Sequence, residues 1–430
     1  MKFIKYASAF LVLTSSSIAA ANVTDIYGSN PRGMSLGNAT MSGGDGSFAA
    51  QSNPASLTEQ DGSSVAVSFQ MSQLSLKDLS AASTEDSSGL PASPYKASEA
   101  DPISGNTVGL NLALAESLRL GLTAYMPNGN FGKLMGVAPN EVHYLRSGDA
   151  QERPAIYTAA ALKFGRLSVG LGTYYTLKAE GSLQMALNNK ASAARFNLNM
   201  VPVISPYGGL LWSQKTSFGA WSAGAFYRTA QSTKSEIDTY LAVGAVGDET
   251  SATLPMSIQT SLVPFYDPEL YKIGFNMAAG RIKAYAAAEL YRWSEFEAPL
   301  ISLAGDDIAS LTESNERAQL SLNDTYSYKA GLAYLLDDKT QTELRFGLEH
   351  HESATEGKAI VGLVDPSRSV IALGAGMNVL EGLLEEGKSA KIDFSYQRSI
   401  LEDTNVDISD RSVTAGGYTD TLIGGISYGL

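Results

Sequence analysis

Stretches of about ten residues in which every second side chain is apolar recur along this chain, yet after residue 21 no run of about 18 uninterrupted apolar residues occurs. No transmembrane helix is therefore available, and only a soluble β protein or a closed membrane barrel can use such a pattern. Leu110, Leu112 and Leu114 alternate with Gly109, Asn111 and Ala113; Leu167, Val169, Leu171 and Thr173 with Ser168, Gly170 and Gly172; Ile392, Phe394 and Tyr396 with Lys391, Asp393, Ser395 and Gln397. A sandwich alternates in the same way, so periodicity alone leaves both architectures open.

Connection lengths decide between them. Thr107 to Leu114 turns tightly at Ala115-Glu116-Ser117 into Leu118 to Tyr125, Ile156 to Phe164 turns at Gly165-Arg166 into Leu167 to Lys178, and Ser205 to Ser213 turns near Gln214 to Ser217 into Phe218 to Arg228. Each pair is followed by a long polar stretch. Later, Thr325 to Leu335 turns at Asp337-Asp338 into Thr342 to His351, the Glu-rich Glu381 to Lys388 joins Arg368 to Val379 with Ala390 to Ser399, and Thr419 to Leu430 is the last segment. Short turns at one end and long loops at the other are the habit of a membrane barrel. The count is 15 if Leu254 to Leu262 and Leu270 to Ala279 are separate strands, and 14 if they are one strand interrupted at Pro264 to Pro268. Bacterial barrels have even counts, and proline belongs at breaks in a ladder, so the expected fold is all-β: a transmembrane antiparallel β-barrel of 14 strands over residues 62–430.

The start of the chain fits export. Lys2 and Lys5, the apolar Ala7 to Leu13 and the small residues Ala19-Ala20-Ala21 come in signal-peptide order, which predicts a signal over 1–21 and a mature chain from Asn22. Its removal takes the formal charge from -13 to -15. This acidity argues against a nucleic-acid partner, and the absence of cysteine excludes thiol, disulfide and Cys-ligated metal chemistry.

Fourteen strands enclose a lumen too wide for wall side chains to fill, and residues 22–61 are the natural plug. They carry no sustained periodicity, but Met34, Leu36, Phe48 and Leu57 are set among small residues. The run Arg32-Gly33-Met34-Ser35-Leu36-Gly37-Asn38-Ala39, then Gly44-Asp45 and Ala49-Ala50, then Asn53-Pro54-Ala55-Ser56-Leu57 resembles the N-terminal hatch of the FadL-like outer-membrane transporters of long-chain fatty acids and other hydrophobic compounds. Leu254-Pro255, Trp293-Ser294-Glu295-Phe296, Asp324-Thr325-Tyr326, Gly331-Leu332-Ala333-Tyr334 and Leu344-Arg345-Phe346-Gly347 are similar to later stretches of the same family. The resemblance implies a 14-stranded barrel, a hatch in its lumen and sideways escape of ligand through the wall. Gly33, Gly37, Asp45, Asn53, Pro54 and Ala55 are then the hatch and gating residues, with Gly33 and Gly37 allowing close approach to the wall and Asn53-Pro54 setting a rigid turn before the first strand. A register slip between Met71 and Leu74, or the Pro264 to Pro268 interruption, is the expected wall opening. Two features depart from the family: His350-His351 stand where it has an aromatic and an Asp, and the chain ends in Leu430 instead of an aromatic.

Catalytic constellations are poor, since only His143, His350 and His351 occur. Neighbouring strand residues face opposite ways, so His350 and His351 cannot share a lumen site; His143 is expected in a solvated loop. His351 and Arg345 are the residues expected at a ligand head group, and no cofactor or metal site is expected. Gly43-Gly44-Asp45-Gly46 reads as a flexible turn. Asp78, Glu85, Asp86, Glu99, Asp101, Asp306, Asp307, Glu313 and Glu316 read as solvated loop charge or as bridges through divalent cations to lipopolysaccharide. Trp212, Trp221 and Trp293 fit aromatic girdles or a core. Three functions remain: a passive channel for a hydrophobic ligand such as a fatty acid or hydrocarbon, a lipid-acting outer-membrane enzyme, and a non-conducting barrel whose loops bind a partner. The hatch favours the first, as a monomer inserted into the bacterial outer membrane by the barrel-assembly machinery.

Overall fold

A computed structural model describes residues 16–17, 22–41, 46–79, 102–129, 136–137, 143–147, 152–187, 192–217, 219–232, 235–243, 254–262, 266–296, 301–304, 322–356, 363–379, 390–408 and 411–430. Fourteen strands close into one antiparallel barrel. In chain order they are β1 Ser64–Leu76, β2 Ile103–Ala113, β3 Leu118–Pro127, β4 Ala155–Phe164, β5 Leu167–Leu187, β6 Ser192–Thr216 and β7 Gly219–Arg228. The second half comprises β8 Glu269–Ala279, β9 Ile282–Arg292, β10 Thr325–Asp337, β11 Thr342–His351, β12 Arg368–Val379, β13 Ala390–Ile408 and β14 Arg411–Gly429. Each strand pairs with its neighbours in sequence, and β14 closes on β1 from Ser64 opposite Gly429 to Leu76 opposite Gly417.

The alternation read from the sequence is an in/out alternation. On β11, Leu344, Phe346 and Leu348 are exposed while Glu343, Arg345, Glu349 and His351 are buried inside. On β1, Val67, Phe69 and Met71 face out and Ser68, Gln70 and Ser72 face in. Apolar side chains therefore cover the outer wall and polar ones the lumen, the reverse of a water-soluble protein. Such a belt is stable against hydrocarbon, where closure is also what satisfies every backbone group.

Several expectations are corrected. Leu254–Leu262 is not part of the eighth barrel strand: it pairs with Ser235–Val243 and Ile301–Ala304, and Ser235–Val243 runs parallel to the outer half of β5. The 14 strands are reached because Glu269–Ala279 alone pairs with β7 and β9. The expected register slip in β1 is absent, since its ladders to β14 and β2 run through Met71 to Leu74 and to Ser72 without a shift. In the barrel ladders, shifts fall between Leu335 and Asp337 and between Leu401 and Thr404. At two places the expected loops are strands: β5 and β6 pair out to Leu187 opposite Ser192, and β13 and β14 to Ile408 opposite Arg411. The tryptophans divide between the two readings left open for them: Trp293 is fully buried against Tyr266, whereas Trp212 faces out.

The loops also turn inward. His143 is buried, not solvated, because His143–Tyr144 pairs in parallel with Leu363–Val364 across the barrel mouth. Arg146 locks this contact through Asp365, with bonds of 2.8 and 2.7 Å. Of the acidic loop residues, all but Asp78 lie outside the described residues, as do Asp45, Pro264, the connector 380–389 and all of the expected signal except Ser16–Ser17.

Candidate functional site: the hatch and its seat in the wall

Residues 22–41 and 46–61 lie within the lumen, as short helical turns instead of long elements. Its caps explain this. Asn22 caps Val23–Ile26, Asn30 caps Pro31–Ser35 by accepting from the Gly33 amide at 2.5 Å, and Asn53 caps Pro54–Glu59 by accepting from the Ala55 amide at 3.1 Å. Each cap satisfies orphan amides that a buried turn would otherwise leave unpaired. Met34, Leu36, Ala50, Ala55 and Leu57 are buried against the wall and one another.

The wall receives the hatch with glycine. A Cβ on Gly170 would stand 2.5 Å from the Ala55 amide and the Pro54 carbonyl carbon, one on Gly331 would stand 2.6 Å from the Leu36 carbonyl oxygen, and one on Gly109 would stand 2.7 Å from the Ser47 carbonyl oxygen. Gly121 faces Leu57, Gly209 faces Asn53, Gly274 faces Met41, Gly347 faces Gly37, Gly374 faces Ser35 and Gly425 faces Pro31. From the hatch side, Gly37 lies at positive φ with its Cα toward the Leu348 carbonyl oxygen, 2.6 Å from where a Cβ would be. A girdle of glycines on most strands therefore lets hatch backbone touch wall backbone.

Hydrogen bonds fix the fit. Asn53 donates to the Met41 carbonyl at 3.0 Å and the Leu210 carbonyl of β6 at 3.2 Å, so one amide ties two hatch segments to the wall. Tyr207 donates to the Ala50 carbonyl at 2.7 Å, Asn111 to the Leu57 carbonyl at 3.0 Å, and Thr58 meets Ser168 at 2.6 Å. Pro54 and Ala55 are thus a wall anchor. Gly33 instead packs on Asn30 within the hatch.

Charge completes the seat. On successive strands Lys272, Glu289, Lys329, Glu349, His351 and Arg368 form a chain inside the lumen, with Lys329 Nζ 2.9 Å from Glu289 and 3.1 Å from Glu349. His351 is held between Glu349 and Arg368, while His350 points to the opposite face beside Ser369. Arg345 lies lower, between Glu343 and Asp393, so His351 and Arg345 share a face but not a cluster. The hatch joins both groups: Asn38 donates to Glu349 at 3.4 Å, and Arg32 pairs with Glu343 and donates to Tyr285 at 3.1 Å. A further pair, Arg228 to Asp25 at 2.7 Å, stands beside Tyr157 and Tyr174, which stack at 4.6 Å between ring centroids, with Tyr207 edge-on to Tyr157. Sequence reading missed this aromatic and charged lining, although each charge stands singly at an inward phase of an alternating strand, as Lys329 does between Tyr328 and Ala330.

Asp25 makes the seat sensitive to acid. Burial works against its carboxylate, but the charges of Arg228 and Lys272 and the Arg228 hydrogen bond outweigh it and hold the group below its usual range. A depressed carboxylate stabilises the seated hatch fully above the pKa of the released state and loses that stabilisation as pH falls through the seated pKa. Conductance of the reconstituted barrel should therefore be constant from pH 8 to 5 and rise only below about pH 4. With Asp25→Asn this acid step should shrink.

A plugged 14-stranded membrane barrel is the architecture these contacts define. No protein-family model matches the sequence, and no curated protein matches it. Solved structures do share the fold. A Pseudomonas aeruginosa FadL homologue aligns at TM-score 0.56 and 14% identity over 96% of this chain and 99% of its own. The Pseudomonas putida toluene transporter TodX aligns at 0.54 and 14% over 94% and 98%, and the Ralstonia pickettii toluene transporter TbuX at 0.53 and 12% over 94% and 99%. The expected likeness to the FadL-like fold is therefore present in three dimensions.

Proposed function

We propose that this chain is a passive outer-membrane channel for hydrophobic compounds, that long-chain fatty acids are its ligands, and that the hatch gates their release sideways into the membrane. One observation carries the reading: a barrel with an apolar outer belt holds a hatch whose backbone is pressed against its wall on most strands. An apolar chain gains about 0.8 kcal/mol per methylene removed from water, and the bilayer offers the same gain at a sideways exit. The structural neighbours include hydrocarbon transporters, which accords with this class of ligand. An enzyme reading has less support: His350 meets Ser369 at 3.2 Å, but on the outer face, and among the described residues no carboxylate orients the ring.

The hatch supplies its own test. Ser47 Oγ of the hatch and Ser64 Oγ of β1 are 2.7 Å apart, close enough for Ser47→Cys with Ser64→Cys to form a disulfide in a chain that has no other cysteine. Cells expressing the unmodified protein should take up labelled oleate faster than cells without it. The oxidised double variant should lose that gain and a reductant should restore it. No uptake of oleate or toluene above background would end the channel reading; toluene without oleate would end the fatty-acid assignment; unchanged uptake with the disulfide confirmed would end gating by movement at this contact.

A further inference from the structure

At the end of the barrel carrying the short turns, a cavity of about 200 Å³ lies between the hatch and the seam of β13, β14 and β1. It exists because the seam presents small residues inward, Ala66 on one side and Gly425 and Ser427 on the other, while Pro31 and Phe48 of the hatch cover it. Its charged lining is Arg32, Lys391 and Asp393. Behind them stand Lys283, Glu343 and Arg345, so four cations share two carboxylates. The sharing is uneven. Glu343 is taken by Arg32 and Lys283, and Asp393 by Arg345 at 2.5 Å, which leaves Lys391 Nζ 3.6 Å from Asp393, beyond a hydrogen bond. Arg345 Nη1, buried in the same cluster, has no hydrogen-bond partner. A surplus of cations in a half-open pocket with an apolar cover is suited to an anion attached to a hydrocarbon tail.

We infer that this cavity binds the anionic head of an amphiphile, with Lys391 as the principal contact and Arg32 supporting it. At 200 Å³ the cavity is below the usual ligand-pocket range of about 300–1,000 Å³, so it takes a head group and the first carbons, while the tail runs out along the seam. It thereby deepens the channel reading by naming a station on the exit side of the hatch, and it rests on that reading only for the origin of the ligand.

The mature protein in phosphatidylcholine nanodiscs would be photolabelled with a dodecanoate bearing a diazirine near its carboxyl end, and with the matching dodecanol. Peptides containing Phe48 and residues 424–429 should carry the dodecanoate label. Dodecanol labelling there should be about tenfold weaker, the factor for one lost charge-assisted hydrogen bond. Lys391→Gln should lower the dodecanoate label by a similar factor and Lys391→Arg should retain it, with heat-modifiable migration on gels checking that both barrels are closed. If phosphatidylglycerol in the disc displaces the label, the head group belongs to a membrane lipid; if it does not, to a transported carboxylate. Equal labelling by dodecanol, or no change with Lys391→Gln, would overturn the site. The readout needs no transport, so a failure of oleate uptake in cells leaves it standing, and its own failure leaves the channel reading standing.

Discussion

Placing valine at both Gly170 and Gly331 should unseat the hatch and convert a closed barrel into a conducting one. Each new Cβ would meet hatch backbone, at Ala55 and Leu36, and backbone cannot rotate out of the way as a side chain can. Overpacking of this kind costs about 1–3 kcal/mol per site, and the two sites lie on opposite arms of the hatch, so the costs should add. Valine itself favours a strand. In a chain lacking residues 22–61 the same pair should therefore be neutral or slightly stabilising, because relief of an interior glycine is worth about 0.5–1 kcal/mol. Single-channel conductance in planar bilayers reads the first effect and thermal barrel opening the second. A doubly substituted full-length protein that conducts no more than the parent would show that the girdle does not hold the hatch.

Arg228→Met should be the most damaging single change at the hatch. It leaves the Asp25 carboxylate buried at 6% side-chain exposure without its bidentate partner. Removing one half of such a pair costs about 3–5 kcal/mol, comparable to the whole stability margin of many domains. Hydrogen exchange over Val23–Ile26 should rise by orders of magnitude, while exchange in β10 and β11 stays slow. The second substitution Asp25→Asn should recover much of the protection, since a neutral amide is cheaper to bury. Equal exchange in parent and variant would mean that Lys272 and the surrounding turns hold the segment without Arg228.

What the sequence disclosed and what it hid follow from the range of the interactions. Alternation such as Leu344, Phe346 and Leu348 against Arg345 and Glu349 is local, so the strands and their faces were legible. Turns such as Gly165-Arg166 were legible for the same reason, and Asn53-Pro54-Ala55 announced a capped turn before the first strand. The outer hairpins were not, although Leu183, Met185 and Leu187 alternate with Gln184 and Ala186, and Phe196, Leu198 and Met200 with Asn197 and Asn199, because a spanning strand needs only about ten residues and the remainder reads as loop. Leu254–Leu262 misled in the opposite way: it alternates well but pairs in the outer sheet. The girdle was invisible because Gly170 or Gly331 looks like any small residue in a strand until the hatch is seen against it. Likewise Arg345 and His351 were chosen as one kind of residue, and only the fold separates the lower cluster from the upper.

The seam between β1 and β14 joins the beginning of the wall to its end, with the hatch, which precedes both, held inside by bonds to strands all around the circle. The same bonds make the hatch an inner bracket across that seam: were β1 to part from β14, wall strands on either side of the break would still be joined through Asn38, Asn53 and Leu57.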